Sequence, residues 1–210
     1  MGKNKALEAI PANLAKKPKS RFEMVKERHR QTYETALSQG KVDLQMQPLC
    51  TFVTGTKDYF TSSCCSGRIM LLEKRGDKKL ENFFHRKWHR NVLRIELLEG
   101  FNEMVLGELW FKLDPFILHI GCENIENANK VLFAMKNAGV KRGGVMVAQD
   151  GKFLIELLGT EQMGFPIKLG SKKLVDWKYL EAILPKANKM LSKNYRRIEK
   201  LEGEFRKALR

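Results

Sequence analysis

The sequence predicts an α+β fold, with a mixed and mostly antiparallel sheet or partial barrel flanked by helices and followed by a long C-terminal helix. Three observations carry this. Short β-branched or aromatic segments, punctuated by Gly, Pro and charged turns, crowd the stretch from Tyr59 to Gly121. Val145–Ala148 and Lys152–Leu158 flank Gln149-Asp150-Gly151, whose Asp-Gly pair is a hairpin turn signal. From Asp176 onward, Ile183, Leu184, Ala187, Leu191, Ile198, Leu201 and Phe205 recur at helical spacing. No G-x-G-x-x-G follows a strand, so a dinucleotide-binding reading lacks support.

Taken in order, residues 1–19 read as a flexible basic tail, with Pro11, Pro18 and five lysines and little periodicity. A single α/β domain is expected over residues 20–210, without internal repeats. Ser20 and Glu23 form a capping box for a polar helix that ends before Gly40. Asp43 is expected to cap a short helix over Leu44 to Phe52, with a turn at Gly55 to Asp58. Strands are expected at Tyr59–Ser63, Gly67–Leu72, Val92–Leu98, Glu103–Leu113 and Phe116–Gly121. Asn124–Ala138 is an amphipathic helix with Gly139 as its C′ residue. In the terminal helix, Pro185 either kinks the chain or starts a second helix.

With 39 Lys and Arg against 24 Asp and Glu in 210 residues, the formal charge is +15, which in a folded chain points to a polyanionic partner. The excess concentrates in Lys3–Arg30, Lys74–Arg94 and Lys186–Arg210. No apolar run approaches the ~20 residues a membrane span needs, and no signal peptide is evident, so a cytoplasmic protein without membrane contact is expected. Cys50, Cys64, Cys65 and Cys122 follow neither a disulfide framework nor paired C-x-x-C knuckles, so reduced thiols are expected.

The densest polar motif is Thr61-Ser62-Ser63-Cys64-Cys65-Ser66-Gly67-Arg68, set between apolar segments. Small side chains admit a ligand close to the backbone, successive N–H groups can form an anion nest, and Arg68 can fork onto a phosphate or carboxylate. A Ser-rich edge strand with a bulge is the plainer alternative. In His85-Arg86-Lys87-Trp88-His89-Arg90 cations surround an indole, which suits an RNA surface unless Trp88 plugs into the core. His85 and His89 have i,i+4 spacing, yet paired ligands do not flank both sides, so no metal is expected. His119 enters an apolar strand, where an imidazole is either a satisfied core group or a proton carrier.

Tyr59 through Ile69 with its Ser63-Cys64-Cys65-Ser66-Gly67-Arg68 core, then Trp88-His89, then Asp114-Pro115-Phe116-Ile117-Leu118-His119, resembles the tRNA wybutosine-synthesizing protein 3 family, in particular its archaeal branch. Ala138-Gly139-Val140-Lys141-Arg142, Phe165-Pro166-Ile167, Ala187-Asn188-Lys189, Asn194 and Arg197 match in the same order. The resemblance implies an S-adenosylmethionine-dependent methyltransferase of non-Rossmann type. Its implied reaction is methylation of N4 of the 7-(3-amino-3-carboxypropyl)-4-demethylwyosine base at position 37, in the anticodon loop of tRNA-Phe. On this reading Asp43, Ser63, Arg68 and His119 are the catalytic candidates. Cys65, Ser66, Gly67, Trp88, His89, Lys141, Arg142, Asn188, Asn194 and Arg197 are the candidates for binding substrate or cofactor, Trp88 by stacking. A monomer is assumed. A non-catalytic tRNA-binding protein or a cysteine-dependent tRNA-modifying enzyme are the alternatives. Two positions depart from the family pattern: Cys64, where Ser is usual, and Gly143, where a hydroxyl residue is common.

Overall fold

The computed structural model describes residues 20–76 and 78–209, so the expected basic tail lies outside the described residues. The chain runs α1 (Arg21–Ser38), α2 (Gln47–Gly55), β1 (Tyr59–Cys65), β2 (Arg68–Lys74), β3 (Asn82–Trp88), α3 (Arg94–Asn102), β4 (Glu108–Asp114), β5 (Ile117–Cys122), α4 (Ile125–Asn137), β6 (Arg142–Gln149), β7 (Lys152–Leu158), β8 (Met163–Leu169), β9 (Lys172–Lys173) and α5 (Trp177–Ala208). Two open antiparallel sheets result, ordered β1-β5-β7-β6 and β3-β2-β4-β8-β9.

The sheets are joined by three strands that change sheet at one place. β1 becomes β2 through Ser66-Gly67, β4 becomes β5 through Pro115-Phe116, and β7 becomes β8 through residues 159–162. Cys65 pairs with Ile117 on one side of the crossing and Arg68 with Asp114 on the other, while Gly159 N–H donates to Phe116 O at 2.9 Å. Gly67 is required here. Its φ is +91°, and a Cβ would meet Asn194 Nδ2 at 2.7 Å and Asp114 O at 2.9 Å.

Each sheet has its own core, and α5 enters both. Its first half gives Leu180, Leu184, Ala187 and Leu191 to a core with Ile69, Leu97, Phe101 and Phe111 from β2, α3 and β4. Its second half gives Ile198, Leu201 and Phe205 to a core with Leu49, Leu118, Val131 and Ile155 from α2, β5, α4 and β7. Asp176 caps its start by accepting from Tyr179 N–H at 2.8 Å, and one 32-residue helix continues through Pro185. Among the described residues no helix is long and apolar enough to cross a membrane.

The capping box at Ser20, the helix after Asn124 with Gly139 at φ +72°, and the hairpin around Gly151 stand as expected. Other expectations need correction. Val92–Leu98 is not a strand: α3 starts at Arg94, where Glu96 accepts from Leu93 N–H at 2.9 Å and Leu97 and Phe101 bury one face at i,i+4. β4 begins at Glu108, because Glu73 accepts from the N–H groups of Leu106 and Gly107 at 2.8 and 3.0 Å and holds that segment as a loop. No strand is expected at β3, yet as an edge strand paired only with β2 it carries polar residues in a ladder. α2 begins at Gln47 with Pro48 in its first turn, and Asp43 does not cap it.

Candidate active site at the sheet crossing

Asp43 is freed from capping by a different task. Its Oδ2 accepts from Ser66 N–H at 2.7 Å, from Ser66 Oγ at 3.0 Å and from His89 Nδ1 at 2.8 Å. Burial pushes the carboxyl up, but the hydrogen bonds from His89 and Ser66 outweigh it and hold Asp43 below its ordinary range. The same hydrogen bond, reinforced by Cys65 with its Sγ 3.9 Å from Nδ1, raises His89 to about 9. His89 is therefore an imidazolium at neutral pH, a donor and not a base. Tyr195 on α5 donates its hydroxyl to His89 O at 2.9 Å, and burial pushes that phenol up to about 12.

Asp43, Cys65 and His89 are the His/Cys/carboxylate group whose donor atoms gather within 4.8 Å among the described residues. The 2.8 Å separation of Oδ2 and Nδ1 is that of a hydrogen bond, and Oδ2 already accepts three. The geometry is an ion pair on a buried serine.

A second imidazole lies beside the first. Ser63 on β1, His119 on β5 and Glu156 on β7 are register partners, so their side chains form one row across the sheet. Ser63 Oγ lies 2.9 Å from His119 Nδ1, and His119 Nε2 lies 3.2 Å from Glu156 Oε2. A carboxylate only accepts, which assigns Nε2–H to Glu156 and leaves Nδ1 to accept the Ser63 hydroxyl. Ser63 is exposed. Ser63 and Cys65 are two residues apart on one strand, hence on one face and about 7 Å apart. Cys64 points the other way, against the core, beside buried Cys50, whose thiol is raised by that neighbour and by burial. All four cysteines are free thiols.

Arg68 starts β2, with Nη2 3.4 Å from Asp114 Oδ2 and its guanidinium 5.0 Å above the Phe84 ring. Its buried Nε has no partner, and neither has the buried Nδ2 of Asn194. Of the two, Asn194 Nδ2 lies against Gly67. Beyond Asn194 opens a cleft of about 360 Å³ lined by Phe116, Lys141, Gly159, Glu161, Arg196 and Arg197, among others.

The crossing brings together Asp43, Ser63, Cys65, Ser66, Gly67, Arg68, His89 and His119, with Asn194 against Gly67. Lys141 and Arg197 line the adjoining cleft, where Arg197 also donates to Ala138 O at 2.8 Å. Three residues belong elsewhere. Trp88 is only 8% exposed and packs in the core of the second sheet, because its register partner on β2 is the fully buried Ile69, so it offers no face for stacking. Asn188 clasps Val92, accepting from its N–H at 2.9 Å and donating to its C=O at 3.0 Å. Arg142 sits exposed at the start of β6, 3.5 Å from Gln162. Gly143, at φ +117°, leaves no room for a side chain, since a Cβ would overlap Glu156 O. Glu156 and Tyr195 escape a reading of the sequence: one looks like the polar member of an alternating strand and the other like a helix-face residue.

An antiparallel scaffold with its polar chemistry at a bend, and no Rossmann crossover, still has to be placed among known enzymes. A Thermococcus kodakarensis protein named tRNA(Phe) 7-((3-amino-3-carboxypropyl)-4-demethylwyosine(37)-N(4))-methyltransferase 1 is 32% identical over 188 residues, covering 89% of this chain and 94% of that one. A tRNA wybutosine-synthesizing protein 3 homolog of Danio rerio is 28% identical over 81% of this chain and 69% of its own. The solved structure of the PH1069 protein from Pyrococcus horikoshii superposes with a TM-score of 0.82 at 31% identity, covering 89% of this chain and 95% of that one. The fold and its relatives thus define a methyltransferase. The family model Methyltransferase TYW3 matches residues 19–207, and the chain belongs to that family, as the Ser-Cys-Gly-Arg motif led us to expect.

Proposed function

We propose that this enzyme methylates N4 of the 7-aminocarboxypropyl-demethylwyosine base at position 37 of tRNA-Phe, acting as a cytoplasmic monomer on the anticodon loop with S-adenosylmethionine as donor. The observation that carries the reading is the pair of imidazoles along one face of β1 in a chain of this family, His89 hydrogen-bonded to Asp43 and His119 to Ser63. The donor's residues fit: Arg68 at the start of β2 and the partnerless Asn194 Nδ2 against Gly67 are donors suited to its carboxylate. S-adenosylmethionine supplies an electrophilic methyl on a sulfonium.

The rest is done by the chain. Transfer of a methyl is an in-line displacement, for which alignment alone contributes ~7–11 kcal/mol. His89, kept charged by Asp43, donates to an acceptor on the base. His119 holds a lone pair on Nδ1 because Glu156 fixes Nε2–H, so the proton leaving N4 passes through the Ser63 hydroxyl to His119. Glu156 orients the ring.

The test is methylation of the demethylated tRNA precursor by single variants. We expect Arg68→Ala and His119→Ala to lose ~10²-fold or more in turnover. Wild-type turnover by both would sink the assignment. A Cys64→Ser, Cys65→Ser double variant should retain methylation, whereas a thiolate mechanism would lose it.

A further inference from the structure

We infer that the cleft beside Asn194 is the docking site for the backbone phosphates of the RNA substrate and is not the pocket of the methyl donor. The inference rests on the proposed tRNA substrate. The cleft is lined by Lys141 from the turn between α4 and β6 and by Lys193, Arg196, Arg197 and Lys200 from α5. The four α5 cations stand at i, i+3, i+4 and i+7, hence on one face of the helix. Against five cations the lining offers one carboxylate, Glu161, 3.6 Å from Lys193.

Among the described residues Arg30, Arg75, Arg86, Arg90 and Arg94 each hold a glutamate. Among the described residues Arg196 and Lys141 have no ion-pair or hydrogen-bond partner. A concave wall with five cations to one carboxylate focuses its field on an anion. Phosphodiesters carry one negative charge each and match it. S-adenosylmethionine carries a sulfonium and an ammonium against one carboxylate, so this wall repels it. At the crossing, by contrast, His89 is matched by Asp43 and Arg68 by Asp114, with Glu156 nearby, so no wall of excess positive charge faces a sulfonium there.

Position supports the division of labour. Asn194 is 1% exposed and forms the partition: it lines the cleft, its Oδ1 faces Gly159, and its Nδ2 faces Gly67 at the crossing. Phosphates seated in the cleft would hold the strand one side chain away from the base-reading groups.

The experiment measures binding of a tRNA-Phe transcript by fluorescence anisotropy between ~50 and ~200 mM salt, alongside calorimetry with S-adenosylmethionine. For the Lys141→Gln, Arg196→Gln double variant we expect weaker tRNA binding and a salt slope shallower by about 0.7–0.9 for each contact removed. The heat with S-adenosylmethionine and the thermal melt should match wild type. A Lys172→Gln, Lys178→Gln pair removes the same charge from β9 and the start of α5, where Lys178 stands about 27 Å along the helix from Arg196, and should leave the slope nearly unchanged. A slope equal to wild type, or to that of the control pair, overturns the inference. So does loss of the S-adenosylmethionine heat with the slope intact, which would make the cleft the donor's pocket. A wild-type enzyme that binds the transcript with the steep slope but transfers no methyl defeats the proposed activity and leaves this inference standing.

Discussion

His89 and Asp43 form an ion pair whose contribution depends on both protonation states. His89 is raised from its ordinary 6.5 to about 9, so its share of stability is complete below about 6.5 and is lost as pH rises through about 9. Asp43 is lowered, so its share is present above its ordinary 3.8 and is lost as pH falls through its depressed value. We expect wild type to lose about 1–2 kcal/mol between pH 7 and 10 from this pair, and Asp43→Asn to abolish that slope. Melting temperatures across that range decide it; a slope identical in the variant removes the pair from the account. At the neighbouring row, Glu156→Gln should lower kcat roughly 10-fold with KM unchanged, and Glu156→Asp should recover part of it. An equal rise in KM would point to substrate binding instead.

At the scale of elements, the crossing depends on clasps between distant segments. Asn188 on α5 satisfies both backbone groups of Val92, and Tyr195 one turn or two further on holds His89 O, so α5 fixes the segment that carries the imidazolium. Asn188→Ala leaves a backbone N–H and C=O without partners and should destabilise by about 1–3 kcal/mol. Hydrogen exchange should quicken at residues 89–93 before it does in β5; uniform protection would show that the clasp is dispensable. Two lysines, Lys26 half-buried and Lys168 buried, act similarly at helix ends. Lys26 donates to the carbonyls of Thr54, Thr56 and Tyr59 after α2, and Lys168 to those of Phe101 and Glu103 after α3. Both cationic heads meet the negative end of a helix dipole.

Over the whole molecule, α5 is the member common to both cores, and we propose that residues 20–210 unfold as one unit. Leu184→Ala and Leu201→Ala, on opposite halves of α5, should each cost about 2–5 kcal/mol and lower one and the same calorimetric transition. Two separate peaks would divide the chain into two domains. The sequence alone determined the elements whose signals are local: the capping box at Ser20, the helix closed by Gly139, the Asp-Gly hairpin, the terminal stripe, and a small-residue motif ending in Gly67-Arg68 whose order with the later motifs carried the family. Local periodicity failed at β3, an edge strand with polar faces, and at α3, where the β-branched Val92 and Ile95 straddle a helix start. Only the tertiary structure decided that Asp43 holds Ser66 and His89 instead of a helix N-terminus, that Trp88 is core, and that Glu156 stands behind His119. Those facts arise from strand register and from three strands changing sheet together, which juxtapose residues 23 to 46 positions apart. No short-range pattern in a sequence encodes such pairings, because each requires the loop entropy between the partners to be overcome by the fold as a whole.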